Sequence, residues 1–153
     1  MPTFVRWKGK IEPGTMSYRV TGFEDWLPTL LDLVGLGKEI PPGLDGISFK
    51  PALEGRAMTP RPFLYREFPS YGGQQSVRVG EWKAIKQGLA KGPAEIELYN
   101  LRLDESESNN VAASNPDIVA KLAAIMEKEH VLNKDFPIKG LGDPVPEVPA
   151  KKK

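Results

Sequence analysis

The chain has 153 residues, 40% of them hydrophobic and 27% charged, with a formal net charge of +1. That length supports one real core, with roughly 70% of the unfolded surface buried, and the near-neutral balance argues against a dedicated nucleic-acid binder, which carries a large basic excess. There is no cysteine, which excludes disulfides, thiolate metal sites and a cysteine nucleophile.

In chain order, "MPTFVRWKGK" lacks the apolar centre of a signal peptide, and no apolar run approaches the ~20 residues that span a bilayer. Thr3 to Trp7 is a short apolar run that suits a buried strand, followed by a turn at "EPGT". In "TGFEDWLPTLLDLVGLG", Leu27, Leu30, Leu31 and Val34 recur at i, i+3, i+4 and i+7, which predicts a helix with that stripe inward. Asp25 as N-cap leaves Pro28 in the first turn, where its missing N–H costs little. Gly35 ends the helix in the left-handed region.

"KEIPPGLDGISFKPALEG" is a connector with one helical turn around Pro51 to Glu54. Phe63 to Phe68 reads as a strand and "PSYGGQQ", residues 69 to 75, as a loop. "SVRVGEWKAIKQG" then alternates apolar and polar residues on either side of Gly80-Glu81, the pattern of a half-buried hairpin. Val77, Val79, Trp82 and Ile85 are expected to face a core, with Arg78, Lys83 and Lys86 on or near the other face. A further strand is predicted over Ile96 to Leu101.

"NPDIVAKLAAIMEKEH" is the clearest helix: Asn115 caps it, Pro116 takes the first helical position and Asp117 faces the positive end of the dipole. Ile118, Leu122, Ile125 and Met126 form its apolar stripe. The Pro-rich end with Lys151 to Lys153 reads as a disordered tail. The order is α+β.

Catalytic constellations are missing: there is no phosphate loop and no nucleophile elbow. The single histidine, His130, ends a helix, where it suits the dipole. "LDESESNN" lacks the spacing and glycine of a calcium loop and reads as a turn with a solvated charge run. Tyr71, beside two glycines, is the aromatic least suited to a core.

Five stretches, in order, resemble the C-terminal third of a formylglycine-dependent sulfatase of the alkaline-phosphatase-like superfamily. "MPTFVRWKGKIEPGT" resembles the family's strand ending W-P-G-x-I-x-P-G, and "DWLPTLLDLVGL" its D-x-x-P-T-L-L-x-L-A-G helix. "LDGISFKPALEG" is similar to D-G-x-S-x-x-P-x-L-x-G, and "SVRVGEWKAI" to A-V-R-x-G-x-W-K. "ELYNLRLDESESNNVA" is similar to E-L-Y-D-L-x-x-D-P-x-E-x-x-N-x-A, without the proline after Asp104.

The resemblance implies an α+β piece of a larger α/β sulfatase fold. Residues 1–60 would belong to the large domain, 61–136 to a small antiparallel sheet packed on the C-terminal helix, and 137–153 to the tail. The family's nucleophile motif C-x-P-x-R is absent, and "SNPDI" has no arginine. No catalytic or metal residue therefore carries over; calcium and formylglycine would belong to an upstream catalytic core. That core is the implied partner, with sulfated carbohydrate as the implied substrate of the whole enzyme and a periplasmic, secreted or lysosomal setting usual for the family. Thr3 to Trp7 and the Leu27 stripe would pack on a sheet supplied mainly by the core, and alone would be prone to self-association. The resemblance also places Glu67 to Gln75 near the pocket rim, making Glu67, Tyr71, Gln74, Gln75 and Arg78 the substrate-binding candidates. Two other readings stay open: a free-standing carbohydrate- or protein-binding module, and a related phosphatase-superfamily hydrolase.

Overall fold

The computed structural model describes residues 3–144; the end of the expected tail, including Lys151 to Lys153, lies outside them. The chain divides after Arg61 into two compact units.

In the first unit, a single 3-10 turn, Phe23–Asp25, leads into helix α1, Trp26–Leu33. Gly35 follows with φ 82°, as expected of a left-handed helix end. A short helix α2 covers Lys50–Leu53. The face of α1 that is buried is not the leucine stripe: Leu27, Leu30 and Val34 are exposed, whereas Pro28 and Thr29 are buried.

Hydrogen bonds account for this reversal. Asp25, Thr29 and Asp32, at i, i+4 and i+7, receive the connector. Asp25 Oδ1 accepts from Ile47 N (2.8 Å), Thr29 Oγ1 from Phe49 N (3.0 Å) and Asp32 Oδ2 from Ser48 Oγ (2.8 Å). Gly46 allows the approach, since a Cβ there would sit 2.1 Å from the Glu24 carbonyl oxygen. Asp25 stands at the N-terminal boundary of α1 without capping it through its side chain; Oδ2 accepts instead from Gly22 N at 2.7 Å. Arg61 closes the cluster with ion pairs to Asp25 and Glu24. The "DWLPTLLD" and "LDGISFKP" motifs are thus two halves of one polar seam.

The expected strand at Thr3 to Trp7 is not formed. The described residues of this unit contain no strand, so its backbone has no ladder to join, and Phe4 is 92% exposed.

The second unit is a four-stranded antiparallel meander, in the order β1 (Leu64–Phe68), β2 (Gln74–Val79), β3 (Trp82–Gln87), β4 (Glu97–Asn100). Helix α3, Pro116–Glu129, covers one face. Its Leu122 and Met126 pack with Val77, Ala84 and Leu98 to form the core, with Tyr65, Val79, Trp82, Ile118 and Ile125 around them. Pro116 starts the helix as expected, but Asn115 does not cap it through its side chain; Nδ2 donates to Val111 O at 2.9 Å.

Register corrects the expected faces of the hairpin. Val77 pairs with Ala84, and Gln75 with Lys86, so Trp82, Ala84 and Lys86 share the helix-facing side, given the two-residue period of a strand. Ile85 lies on the opposite side with Lys83 and Arg78. Lys83 is not simply solvated, because its Nζ lies 2.6 Å from Glu107. The "DESES" turn is likewise organised: Asp104 accepts from Ser108 N and Asn109 N at 2.8 Å, and these contacts hold its carboxyl below the usual range.

The segment expected to be a tail is folded where it is described. Ile138 is 2% exposed, and Asp143 accepts from Ile138 N and Asn133 N at 2.6 and 2.9 Å. A buried isoleucine supplies the apolar anchor that a disordered tail lacks.

Candidate functional site

The five candidate residues divide among three environments. Tyr71 is at the tip of the loop between β1 and β2, 88% exposed, with φ 53°. Its ring stacks on Phe68, with centroids 5.9 Å apart and planes inclined by 22°. Gln74 and Gln75 belong to β2 rather than to the loop. Gln74 pairs with Phe68 and with Gln87, which puts it on the sheet face opposite α3. Arg78 lies on that same face, its Nε donating to Gly80 O at 3.0 Å.

Glu67 and Gln75, by contrast, are register partners on the helix-facing side. Gln75 is 1% exposed, and its Nε2 donates to the Tyr65 hydroxyl (2.9 Å) and to Met126 O (3.1 Å). It is a packing residue, unable to reach a ligand in solvent. Glu67 accepts from the Tyr65 hydroxyl and lies 2.7 Å from His130 Nδ1. Burial, together with the Glu67 hydrogen bond, pushes the Tyr65 phenol well above its ordinary pKa. His130 Nε2 lies 3.5 Å from Asp143 Oδ1.

The structure therefore assembles Tyr65, Glu67, Gln75, His130 and Asp143 into a network that sequence reasoning did not find. Alternation along β1 places Tyr65 and Glu67 on one side, a usable signal. His130 and Asp143 gave none, because one ends a helix and the other lay in a supposed tail. The network joins four segments, β1, β2, the end of α3 and the stretch at 143, and is mostly buried. It offers a substrate little access.

Among the described residues no group of three or more His, Cys, Asp or Glu could hold a metal ion. The sequence holds no cysteine, and no arginine follows "SNP".

A family model for the C-terminal region of N-sulphoglucosamine sulphohydrolase matches residues 1–133. The chain belongs to this sulfatase C-terminal family. Among curated proteins it is similar to the N-acetylglucosamine-6-O-sulfatase of Bacteroides thetaiotaomicron, at 31% identity over 120 residues, covering 72% of this chain and 21% of that protein. It is 35% identical to the ulvan-active sulfatase of Formosa agariphila, over 76% of this chain and 29% of that protein. A protein solved in complex with its substrate D-glucosamine-2-N,6-O-disulfate matches with a TM-score of 0.56 at 28% identity, covering 68% of this chain and 22% of that one. The chain thus spans a fifth to under a third of the curated relatives named here. The α+β chain is a C-terminal sulfatase portion of the alkaline-phosphatase-like superfamily.

The family motifs acquire physical meaning here. Asp104, Glu107 and Asn110 of the "ELYN" segment respectively organise a turn, pair with Lys83 and accept from Leu98 N at 3.1 Å.

Proposed function

We propose that this chain is the scaffold and pocket-rim part of a sulfatase whose complete form hydrolyses sulfate esters of carbohydrates. The observation that carries the reading is the family match over residues 1–133. The relatives named for N-acetylglucosamine-6-O-sulfate and ulvan chemistry favour a carbohydrate over a small aryl ester. Ester cleavage needs an activated nucleophile; with no cysteine, no C-x-P-x-R motif and no candidate metal cluster among the described residues, that step falls to the upstream core.

The exposed Leu27, Leu30 and Val34 stripe along α1 supports a covering partner, since contiguous exposed apolar residues mark an interaction surface. The upstream core is the occupant we propose. A free-standing module would leave that stripe in water.

The test is turnover of an aryl sulfate and of a sulfated oligosaccharide by this chain alone and by the chain joined to its preceding polypeptide. The joined protein is expected to hydrolyse both, and the isolated chain neither. Chelator-sensitive turnover by the isolated chain would overturn the division of labour; inactivity of the joined protein would overturn the sulfatase reading.

A further inference from the structure

The loop from Pro69 to Gly73 carries an exposed aromatic pair that no packing role explains. Phe68 is 49% exposed and Tyr71 88%, yet their rings stack on one another rather than turning inward. Tyr71 holds φ 53°, a left-handed conformation that costs a non-glycine residue roughly 1–2 kcal/mol. Strain of this kind persists only where the surroundings impose it.

Those surroundings are rigid. Gly73 N donates to Ser70 O at 3.1 Å, Ala90 N to Gly72 O at 2.8 Å and Leu89 N to Gly73 O at 3.1 Å. Gly73 itself, at φ +76°, brings its backbone against Leu89 and Ala90, where a Cβ would lie 3.2 and 3.1 Å from their atoms. The loop is therefore tied to the segment after β3 at Gly72 and Gly73, and the ring of Tyr71 rests on Phe68. Beside it, Phe68, half-buried Gln74 and exposed Gln87 form one row across β1, β2 and β3 on the face opposite α3.

We propose that Phe68 and Tyr71, with the Gln74 amide beside them, form a stacking platform for one pyranose ring of an oligosaccharide. A pyranose has an apolar face of C–H bonds and a rim of hydroxyls. The C–H face suits the negative face of an aromatic ring, and the hydroxyl rim suits planar amides that both donate and accept. A protein partner would call for a wider apolar patch than these two rings, whose row continues into glutamines. The inference rests on the sulfatase reading for its ligand class, and deepens it by naming which residues hold the sugar.

The test is a nuclear magnetic resonance titration of this chain with a heparin-derived tetrasaccharide and with its desulfated counterpart. Both sugars are expected to shift the ring signals of Phe68 and Tyr71. Tyr71→Gly should weaken binding about threefold to tenfold, the scale of one aromatic contact, without lowering the melting temperature, because glycine relieves the positive φ. Tyr71→Asn, which tolerates that backbone, should weaken binding equally and guards against a folding artefact. Absence of ring shifts at millimolar sugar overturns the platform. So does binding that disappears on desulfation, which would mark charge attraction alone. Aryl sulfate turnover by the unmodified joined protein reads the parent reading separately: an inactive protein whose Tyr71 still governs sugar binding would sink the sulfatase and leave the platform standing.

Discussion

His130 Nδ1 lies 2.7 Å from Glu67 Oε1, joining the residue after the last long helix to an edge strand 63 positions earlier in the chain. The imidazole is 12% exposed, so one ring ties β1 to the end of α3; its other nitrogen, 3.5 Å from Asp143 Oδ1, has no hydrogen-bond partner among the described residues. The segment beyond it is tied separately, by Asp143 accepting from Asn133 N and Ile138 N.

His130→Ala should therefore destabilise the second unit by about 1–3 kcal/mol, the cost of leaving a buried polar group without its partner. Glu67→Ala should cost at least as much, because it also removes the Tyr65 bond, and the double variant should lose less than the sum, since both remove the His130–Glu67 bond. Denaturant melts of the single and double variants check this, and additive losses would show that the pair is not coupled.

The two apolar sets should respond in opposite ways. Leu98 is fully buried against Leu122 and Met126, and Leu98→Ala should cost about 2–5 kcal/mol. Leu30, 53% exposed on α1, should tolerate Ala within about 0.5 kcal/mol in the isolated chain. In a protein that includes the proposed upstream core, the same Leu30→Ala change should become costly. A neutral Leu30→Ala in both settings would remove the argument for a covering partner.

The hairpin, its turn at Gly80-Glu81 and the proline start of α3 were legible because local period and turn chemistry decide them. The inward face of α1 was not. Hydrophobic spacing pointed to Leu27, Leu30, Leu31 and Val34, whereas Asp25, Thr29 and Asp32 are tied to a connector some 16 to 22 residues away. Nothing in a helical repeat announces such partners. Among the candidate site residues, Tyr71 stood out by its glycine neighbours, but Gln75 looked like loop and proved to be core. The pleat that turns it inward depends on where β2 begins, and a shift of one residue reverses every side chain.

The seam in the first unit gives a pH signature. The Ser48 hydrogen bond is the main influence holding the Asp32 carboxyl below its ordinary 3.8, with Lys50 adding to it and burial opposing it. A carboxyl lowered on folding contributes stability that is fully present above 3.8 and is lost as pH falls through the lower folded value. Ser48→Ala should thus raise the Asp32 titration midpoint and weaken the seam at neutral pH. Its stability should converge with that of the parent chain as the medium is acidified. Carboxyl-carbon shifts and melts at several pH values read both effects; an unmoved midpoint in Ser48→Ala would discount the bond.

The last expectation concerns the chain as an isolated object. Val77 to Ile85 spans a hairpin whose two strands are paired residue by residue and backed by α3. Phe4 to Trp7 has no strand pairing within its unit, and Phe4 is almost wholly exposed. Amide exchange is slow where opening requires global unfolding and fast where the backbone bonds only to water. Hydrogen exchange on dilute, monomeric chain should therefore protect Val77, Ala84 and Ile85 strongly, while leaving Phe4, Val5 and Trp7 near the rate of free peptide. Raising the concentration should slow exchange at Phe4 to Trp7 first, because an unpaired apolar segment is a template for another copy. Joining the upstream core should slow it at every concentration. Equal protection of both stretches in a monomer would mean that this segment already has its partner, and the proposal of a covering core would fall.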